Sequence, residues 1–414
     1  MKQFITVSIA IVLVLFSMAT ANAQKELILS ITGEDVSTVV SRFNQSQTEY
    51  KVIIQNQEYR NWRFAINQFR FSQEKAASGS RDRTIDIAFI DNNWLSGMIK
   101  ERWLEDISGK IARPEDFING LADAATSTGK LYALPFSNKG QVLFYRLDLH
   151  EKHNIPLPRT LKELEQNALL LIKLEKLDHG MTIHSTAIHL DILPFLWSNG
   201  GGLIENGKVI INHPNNIETL TILQGLARKK VLPGPEAFVE LKESYSKAKN
   251  LFIQGRSAYI ITWNNRISDF EKSPIAGKFG ILPIPPLKTG QKSFSVIGSW
   301  YLGVNAFSKQ KDGAVSFLNY FFRDKIQRDM ATESNSFIPA IKAVYFDSQL
   351  KINNPYLQDL ESAMANMRHR LKHPKEPKIS QILENTIKEI VIEGKPVKNL
   401  LDIAQKRIEL IFGQ

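Results

Sequence analysis

The chain of 414 residues contains no cysteine. Disulfide bonds, thiolate metal sites and a lipid-modified cysteine are therefore excluded. Dense blocks of like charge are missing too, although the formal net charge is +10. Scattered basic residues indicate a solvated surface, so we expect no nucleic-acid binding. The net positive charge is still compatible with an acidic ligand.

Familiar catalytic motifs are also absent. The sequence has neither a Gly-x-Ser-x-Gly elbow nor a Gly-x-x-x-x-Gly-Lys phosphate loop. His150-Glu151-Lys152-His153 departs from the zinc pattern His-Glu-x-x-His, because Asn154 stands where the second histidine is needed. His369 and His373 are four apart, but no carboxylate or cysteine completes a ligand set beside them. We therefore expect no catalytic residues, no cofactor and no metal.

The amino terminus carries an export signal. Lys2 is followed by an uncharged apolar run, Phe4–Thr20, and then by Ala21-Asn22-Ala23. This order is typical of a cleavable secretory signal, here residues 1–23. The alternative is an uncleaved membrane anchor, but the run is shorter than the roughly 20 residues that span a bilayer comfortably. No second apolar run of that length follows.

Short β-branched runs alternate with helical patterns along the rest of the chain. The predicted strands are Leu27–Ile31, Lys51–Gln55, Ile85–Ile90, Val142–Tyr145, Ala258–Thr262 and Phe279–Ile284. Such alternation predicts an α/β protein with largely parallel sheets. Thr160 and Glu163 form a capping box that predicts a helix start. Gly394 and Pro396 precede a carboxyl-terminal helix with one apolar face.

Several motifs occur in an order that resembles a known family. They are the segment Ile85–Leu95 followed by Trp103–Ile107, then Gly129–Pro135, Val142–Leu149, Ile155–Leu164, Gly200–Gly202, Phe252–Ala258, Gly298–Trp300 and the tail Ile379–Gly413. Together they resemble the family 1 extracellular solute-binding proteins of ABC sugar transporters. In the motif Ile155–Leu164, Leu161 stands where the family usually has tryptophan. Each motif is weak alone, whereas their order covers nearly all of the chain after the signal.

The resemblance implies two α/β lobes around a ligand cleft, joined by about three crossing segments. The expected lobes are residues 24–135 plus 286–336, and 136–285 plus 337–414. The expected crossings lie near Pro135, near Pro283–Pro286 and around Ser336–Pro339.

The resemblance also implies a function. We expect a monomeric, non-enzymatic periplasmic protein that delivers a sugar or oligosaccharide to ABC permease subunits in the inner membrane. The alternatives are a sensor that presents its ligand to a membrane receptor, a binder of glycerol 3-phosphate or another acidic polyol, and a secreted glycan-degrading enzyme.

Open α/β sheets bind ligands at the carboxyl ends of their strands, and the candidate ligand-binding residues follow predicted strands, except for Trp300, which follows the expected return crossing into the first lobe. They are Asp91, Trp94, Trp263, Asn264, Trp300, Glu58, Tyr59 and Trp62. Indole rings cover the apolar face of a sugar, and carboxylates and amides bind its hydroxyls. The alternative for each tryptophan is a place in the core, and for Asp91 a helix cap. Glu58, Tyr59 and Trp62 could instead begin a surface helix, and Arg60, Arg63 or Arg266 could meet an acidic ligand.

Overall fold

The computed structural model describes residues 24–56, 85–111, 114–118, 120–183, 188–234 and 245–412. Its strands are β1 (Lys25–Ile31), β2 (Tyr50–Asn56), β3 (Ile87–Asp91), β4 (Thr126–Ser127), β5 (Lys130–Leu131), β6 (Ala133–Pro135), β7 (Gln141–Arg146), β8 (His179–Thr182), β9 (Ile204–Glu205), β10 (Lys208–Val209), β11 (Ser257–Trp263), β12 (Phe279–Leu282), β13 (Ser295–Val296), β14 (Trp300–Val304) and β15 (Met367–Arg368). The predicted signal, residues 1–23, lies outside the described residues.

Helices cover the faces of the sheets. The α-helices span Ser37–Ser46, Asn92–Lys100, Leu147–His153, Leu161–Glu175, Ile188–Ser198, Pro214–Arg228, Tyr245–Ile253, Ile267–Glu271, Lys311–Phe321, Asp324–Glu333, Lys342–Tyr345, Ser348–Asn353, Tyr356–Ala363, Glu376–Ile387 and Val397–Phe412. Short 3-10 turns occupy Pro114–Asp116, Ala122–Ala125 and Asn264–Arg266, and a π-helical turn occupies Lys388–Ile392. Within the described ranges, no helix is both long and apolar enough to cross a membrane.

Two main sheets organise the chain, and both are mixed. In the first, with order β2-β1-β3-β14-β6, β1 pairs in parallel with β2 and β3, whereas β14 is antiparallel to β3 and β6. In the second, with order β12-β7-β11-β8, β11 is parallel to β8, and the other two pairings are antiparallel. The expectation of largely parallel sheets is therefore wrong.

The strand directions follow from how the chain passes between the sheets. β7 and β14 each come directly after a segment that links one sheet to the other, residues 136–140 and 283–299. A strand that enters its sheet from the linking side runs opposite to the strands that end on that side. Parallel pairing needs a crossover within one unit, which these two strands lack.

Local signals in the sequence form the expected structure. The Thr160 hydroxyl accepts a hydrogen bond from the Glu163 N–H (3.2 Å), which caps the helix Leu161–Glu175. This helix packs against β8 and β11 of the second sheet. The carboxyl-terminal helix Val397–Phe412 follows Gly394, whose φ of +73° suits glycine, and packs on Pro214–Arg228.

Three segments lie side by side between the two sheets, namely residues 136–140, the segment around Gly298 and the segment around Ile338. The N–H of Gly298 donates to the Lys139 carbonyl (2.8 Å), and the N–H of Asn138 donates to the Ile338 carbonyl (2.8 Å). The segment 136–140 is thus held on both sides. The helices Lys342–Tyr345 and Ser348–Asn353 still contact Asp324–Glu333, whereas Tyr356–Ala363 packs on β12 of the second sheet. This packing favours a third passage later than the expected Ser336–Pro339.

Candidate functional site

The strand ends that meet near the linking segments form the candidate site. Asp91 ends β3, and Trp300 begins β14 directly opposite it. Trp263 ends β11 of the second sheet, opposite Gln141 at the start of β7. Residues from both sheets therefore approach the same linking segments.

Trp300 and Trp94 form one aromatic pair. The Trp300 ring stacks on Phe89, with centroids 4.8 Å apart, and meets Trp94 edge-on at 5.7 Å. Trp94 is only 9% exposed and belongs to the core, whereas Trp300 is half-buried. Trp300 is consequently the member of the pair that retains a surface for a ligand.

Trp263 rests on a linking segment. It is 8% exposed, and its ring lies over Gly298 so closely that a Cβ on that residue would fall 2.2 Å from the indole Cζ3. A glycine is required there because any larger residue would displace the ring. The motif Gly298-Ser299-Trp300 therefore both seats one tryptophan and supplies another.

Asn264 is oriented toward the backbone of the first linking segment. Its side chain is 1% exposed, and its Nδ2 donates to the Asn138 carbonyl (3.0 Å). Its Oδ1 accepts from the Gly140 N–H at 3.4 Å. In this arrangement the amide holds the linking segment against β11.

Asp91 caps the helix Asn92–Lys100 and also forms an ion pair with Arg370. Its Oδ1 accepts from the Asn93 N–H (2.9 Å) and from Arg370 Nη2 (2.9 Å). Arg370 Nη2 donates in addition to Asn92 Oδ1 (2.7 Å). Arg370 follows β15, far along the chain, so sequence spacing gave no signal for this contact.

Unpartnered polar atoms surround Arg370. Arg370 Nε, Asn93 Oδ1, Glu376 Oε2 and His189 Nδ1 are buried without a hydrogen-bond partner among the residues that the structure describes. Burial raises the pKa of Glu376 to about 7, an effect that the charge of Arg370 partly offsets. Burial and the same guanidinium lower the pKa of His189 to about 3. Buried polar atoms are normally paired, so this cluster is suited to a polar ligand or to water.

A second group of charges surrounds Lys139 of the linking segment 136–140. The Lys139 ammonium is 3.7 Å from Oε1 of Glu34, which lies in the loop after β1. Burial raises the pKa of the Glu34 carboxyl even though Lys139 and Arg266 act to lower it. Burial also lowers the pKa of Lys139. Arg266 in turn pairs with Asp269 at 3.1 Å. Sequence patterns had not singled out Glu34 or Lys139, since each stands alone in a loop.

The remaining predicted residues cannot be placed. Glu58, Tyr59 and Trp62, together with Arg60 and Arg63, lie outside the described residues.

His369 and His373 have separate partners, since His369 Nε2 contacts the Gly120 carbonyl and His373 stacks on Phe412. No group of three or more metal-ligating side chains occurs in the described part of the chain.

Comparison with known proteins assigns the family. The profile of the bacterial extracellular solute-binding proteins matches residues 34–328. This chain belongs to that family. A "Probable ABC transporter-binding protein" of Deinococcus radiodurans is 29% identical over 303 residues, which are 70% of each chain. The arabinooligosaccharide-binding protein of Bacillus subtilis is 24% identical over 66% of this chain and 63% of its own length.

The fold is also that of solved binding proteins. The maltose-bound structure of T. maritima MalE3 matches with a TM-score of 0.80 at 23% identity, over 93% of this chain and 99% of that one. At this identity the likeness is one of fold. The family and the two-lobed α/β fold expected from the sequence are thus confirmed.

Proposed function

We propose that this solute-binding protein captures a neutral sugar or short oligosaccharide between its lobes and delivers it to an ABC permease. The observation that carries the proposal is the half-buried Trp300, which stacks on Phe89 next to Asp91. An indole that is supported on one face and partly exposed can cover the C–H face of a pyranose. The unpartnered atoms of Asn93 and Arg370 can bind hydroxyl groups.

The charges of the site favour a neutral ligand over an acidic polyol. Arg370 is paired with Asp91, Arg266 with Asp269, and Lys139 with Glu34. An added anion would have to compete with these carboxylates for each cation. A phosphate site would instead present cations without a partner.

Lobe closure would bury the ligand. We assign residues 24–135 plus 286–336 to one lobe and 136–285 plus 337–414 to the other, except that the helices Lys342–Tyr345 and Ser348–Asn353 go with the first lobe, because they pack on Asp324–Glu333. We further propose that residues 1–23 direct export to the periplasm, that the protein acts as a monomer, and that it performs no chemistry on its ligand. The relatives named above, an ABC transporter-binding protein and an arabinooligosaccharide-binding protein, support this role.

Calorimetry and thermal-shift measurements against neutral mono- and oligosaccharides, sugar alcohols and glycerol 3-phosphate test the proposal. We expect a neutral sugar to bind, and Trp300→Leu to weaken that binding by about 1–3 kcal/mol, the scale of a lost aromatic contact. Trp103→Leu is the matched control, because Trp103 packs near the far end of β14, where its carbonyl accepts from the Ala306 N–H (3.0 Å). Tightest binding of glycerol 3-phosphate, or equal losses in both variants, would contradict the proposal.

A further inference from the structure

A cavity of about 520 Å³ lies on the opposite side of the linking segment 136–140 from Lys139. Asn138 lines this cavity, and so do Met364 and Met367. A Cβ on Gly140 would fall 2.7 Å from Sδ of Met364, so Gly140 lies against the wall of the cavity on the same side of the segment as Asn138. Lys139, between them, faces Glu34 instead. The cavity is therefore separated from the sugar site by the thickness of one chain segment, and we call it the hinge cavity.

The walls of the hinge cavity come from both halves of the molecule. Lys342 and Tyr345 lie on a helix that contacts Asp324–Glu333, on the side of the first sheet. Glu361 and Met364 come from the end of the helix that packs on β12 of the second sheet. A rotation of one lobe against the other must change the distance between these walls, and hence the shape of the cavity.

The lining combines an apolar floor with an excess of positive charge. Phe294, Tyr345 and Met364 are each less than a tenth exposed and supply aromatic and thioether surface. Lys292, Lys342 and Arg368 also line the cavity. The carboxylate of Glu361 is already in an ion pair with Lys351.

The ammonium of Lys342 donates to the Glu115 carbonyl (3.0 Å), whereas Lys292 and Arg368 have no carboxylate partner within the residues that the structure describes. The Arg368 guanidinium lies 4.0 Å from the centroid of the Phe294 ring. Burial lowers the pKa of Arg368. An anionic group would supply the missing partner.

One buried polar atom indicates a further requirement of the ligand. Asn138 is 2% exposed, and its Oδ1 has no hydrogen-bond partner in the described part of the chain. A buried acceptor without a partner is uncommon and costs about 1–3 kcal/mol. A ligand that carries an N–H or O–H would satisfy it.

We propose that the hinge cavity is a second binding site, for a small organic anion with an aromatic body and a hydrogen-bond donor. Because its walls belong to both lobes, such a ligand fits one degree of lobe closure better than another. Its binding then changes the affinity of the sugar site, and sugar binding changes its affinity by the same factor. This coupling rests on the proposed sugar-binding function, whereas the binding itself does not.

The probe 8-anilinonaphthalene-1-sulfonate has the required anion, aromatic rings and N–H, and its fluorescence rises on binding. We expect one saturable site in the full-length protein. Ala365→Trp, at an exposed lining position, should raise the Kd about tenfold or more by filling the cavity, while Ala276→Trp, an exposed position outside it, leaves the Kd unchanged. Lys292→Glu should weaken binding about threefold or more, and the control Lys309→Glu should not.

The two halves of the proposal fail separately. Equal probe affinity in Ala365→Trp and Ala276→Trp, with both variants showing the circular dichroism of the native protein, would overturn the hinge-cavity site whether or not a sugar binds. A probe Kd that does not move when the tightest sugar of the panel is saturating would overturn the coupling alone. Failure of every sugar to bind would instead count against the proposed function and leave the probe titration as it stands.

Discussion

Removal of the Arg370 guanidinium should destabilise the protein through the loss of one buried ion pair. Arg370 is held by Asp91 and Asn92, and the side chains of Arg370 and Asp91 are 9% and 20% exposed. The variant Arg370→Met keeps much of the aliphatic volume. It leaves the Asp91 carboxylate with the Asn93 N–H but without its cation.

The expected magnitude follows from this burial. Removing one partner of a fully buried pair costs about 3–5 kcal/mol, because the other charge stays desolvated. One fifth of the Asp91 side chain reaches solvent and its N–H partner remains. We therefore expect the free energy of unfolding of Arg370→Met to fall by about 2 kcal/mol.

The contribution of the ion pair to the free energy of unfolding can be measured by urea denaturation. The variants are Arg370→Met, Asp91→Asn and the double variant. Asparagine still caps the helix Asn92–Lys100, so Asp91→Asn isolates the charge. The double variant should be more stable than the sum of the single losses predicts, by about 1–2 kcal/mol. Additive losses within about 0.5 kcal/mol would refute the reasoning, since the pair would then contribute nothing specific.

Three further predictions test the site, its titration and the fold. Gly298→Ala should lower the free energy of unfolding by about 1–3 kcal/mol and weaken sugar binding, because its Cβ must displace the Trp263 ring. Near-ultraviolet circular dichroism detects the displacement. An unchanged spectrum with native affinity would contradict this prediction. The pKa of Glu376 is raised from 4.5 to about 7, so the folded state holds its proton longer than the unfolded chain and stability falls as pH rises through this window. Glu376→Gln should match the wild type near pH 4.5 and exceed its stability above pH 7 by up to about 3 kcal/mol, and parallel pH–stability curves would exclude this account. Thr160→Ala should lower stability by about 1 kcal/mol through loss of the bond to the Glu163 N–H, and thermal unfolding should show no change if the cap is dispensable.

Local patterns in the sequence predicted the elements well, because each depends on neighbouring residues. The helix Leu161–Glu175 begins where the capping box of Thr160 and Glu163 predicts it. Strand direction could not be predicted in the same way. Whether β14 runs with or against β3 depends on which side of the sheet the chain enters, and this is a property of the whole path.

The candidate site was predictable only in part. Asp91 and Trp263 lie at the carboxyl ends of their strands, as expected from the sheet rule, whereas Trp300 lies at the start of β14, directly after a linking segment. Asn264 follows a strand in the same way, yet its amide binds the backbone of residues 138 and 140. An amide after a strand looks the same in sequence whether it faces solvent or another segment.

Arg370 and Glu376 escaped prediction for a different reason. Both lie in a charged stretch of the carboxyl-terminal region whose sequence indicates a solvated face. Glu376 begins a helix that packs against Asn92–Lys100 and Ile188–Ser198, and Arg370 is held by Asp91 and Asn92. These contacts join parts of the chain hundreds of residues apart, and no local pattern records them.

Native mass spectrometry of the protein, exported by its own host and purified without denaturation, tests the central claim most directly. We predict a bound species whose mass equals a whole number of sugar residues plus one water, and its loss from the Trp300→Leu variant prepared in the same way. A bound phosphorylated polyol would contradict the claim of a neutral sugar. A sugar retained equally by wild type and Trp300→Leu would contradict the claim that this ring forms the binding surface.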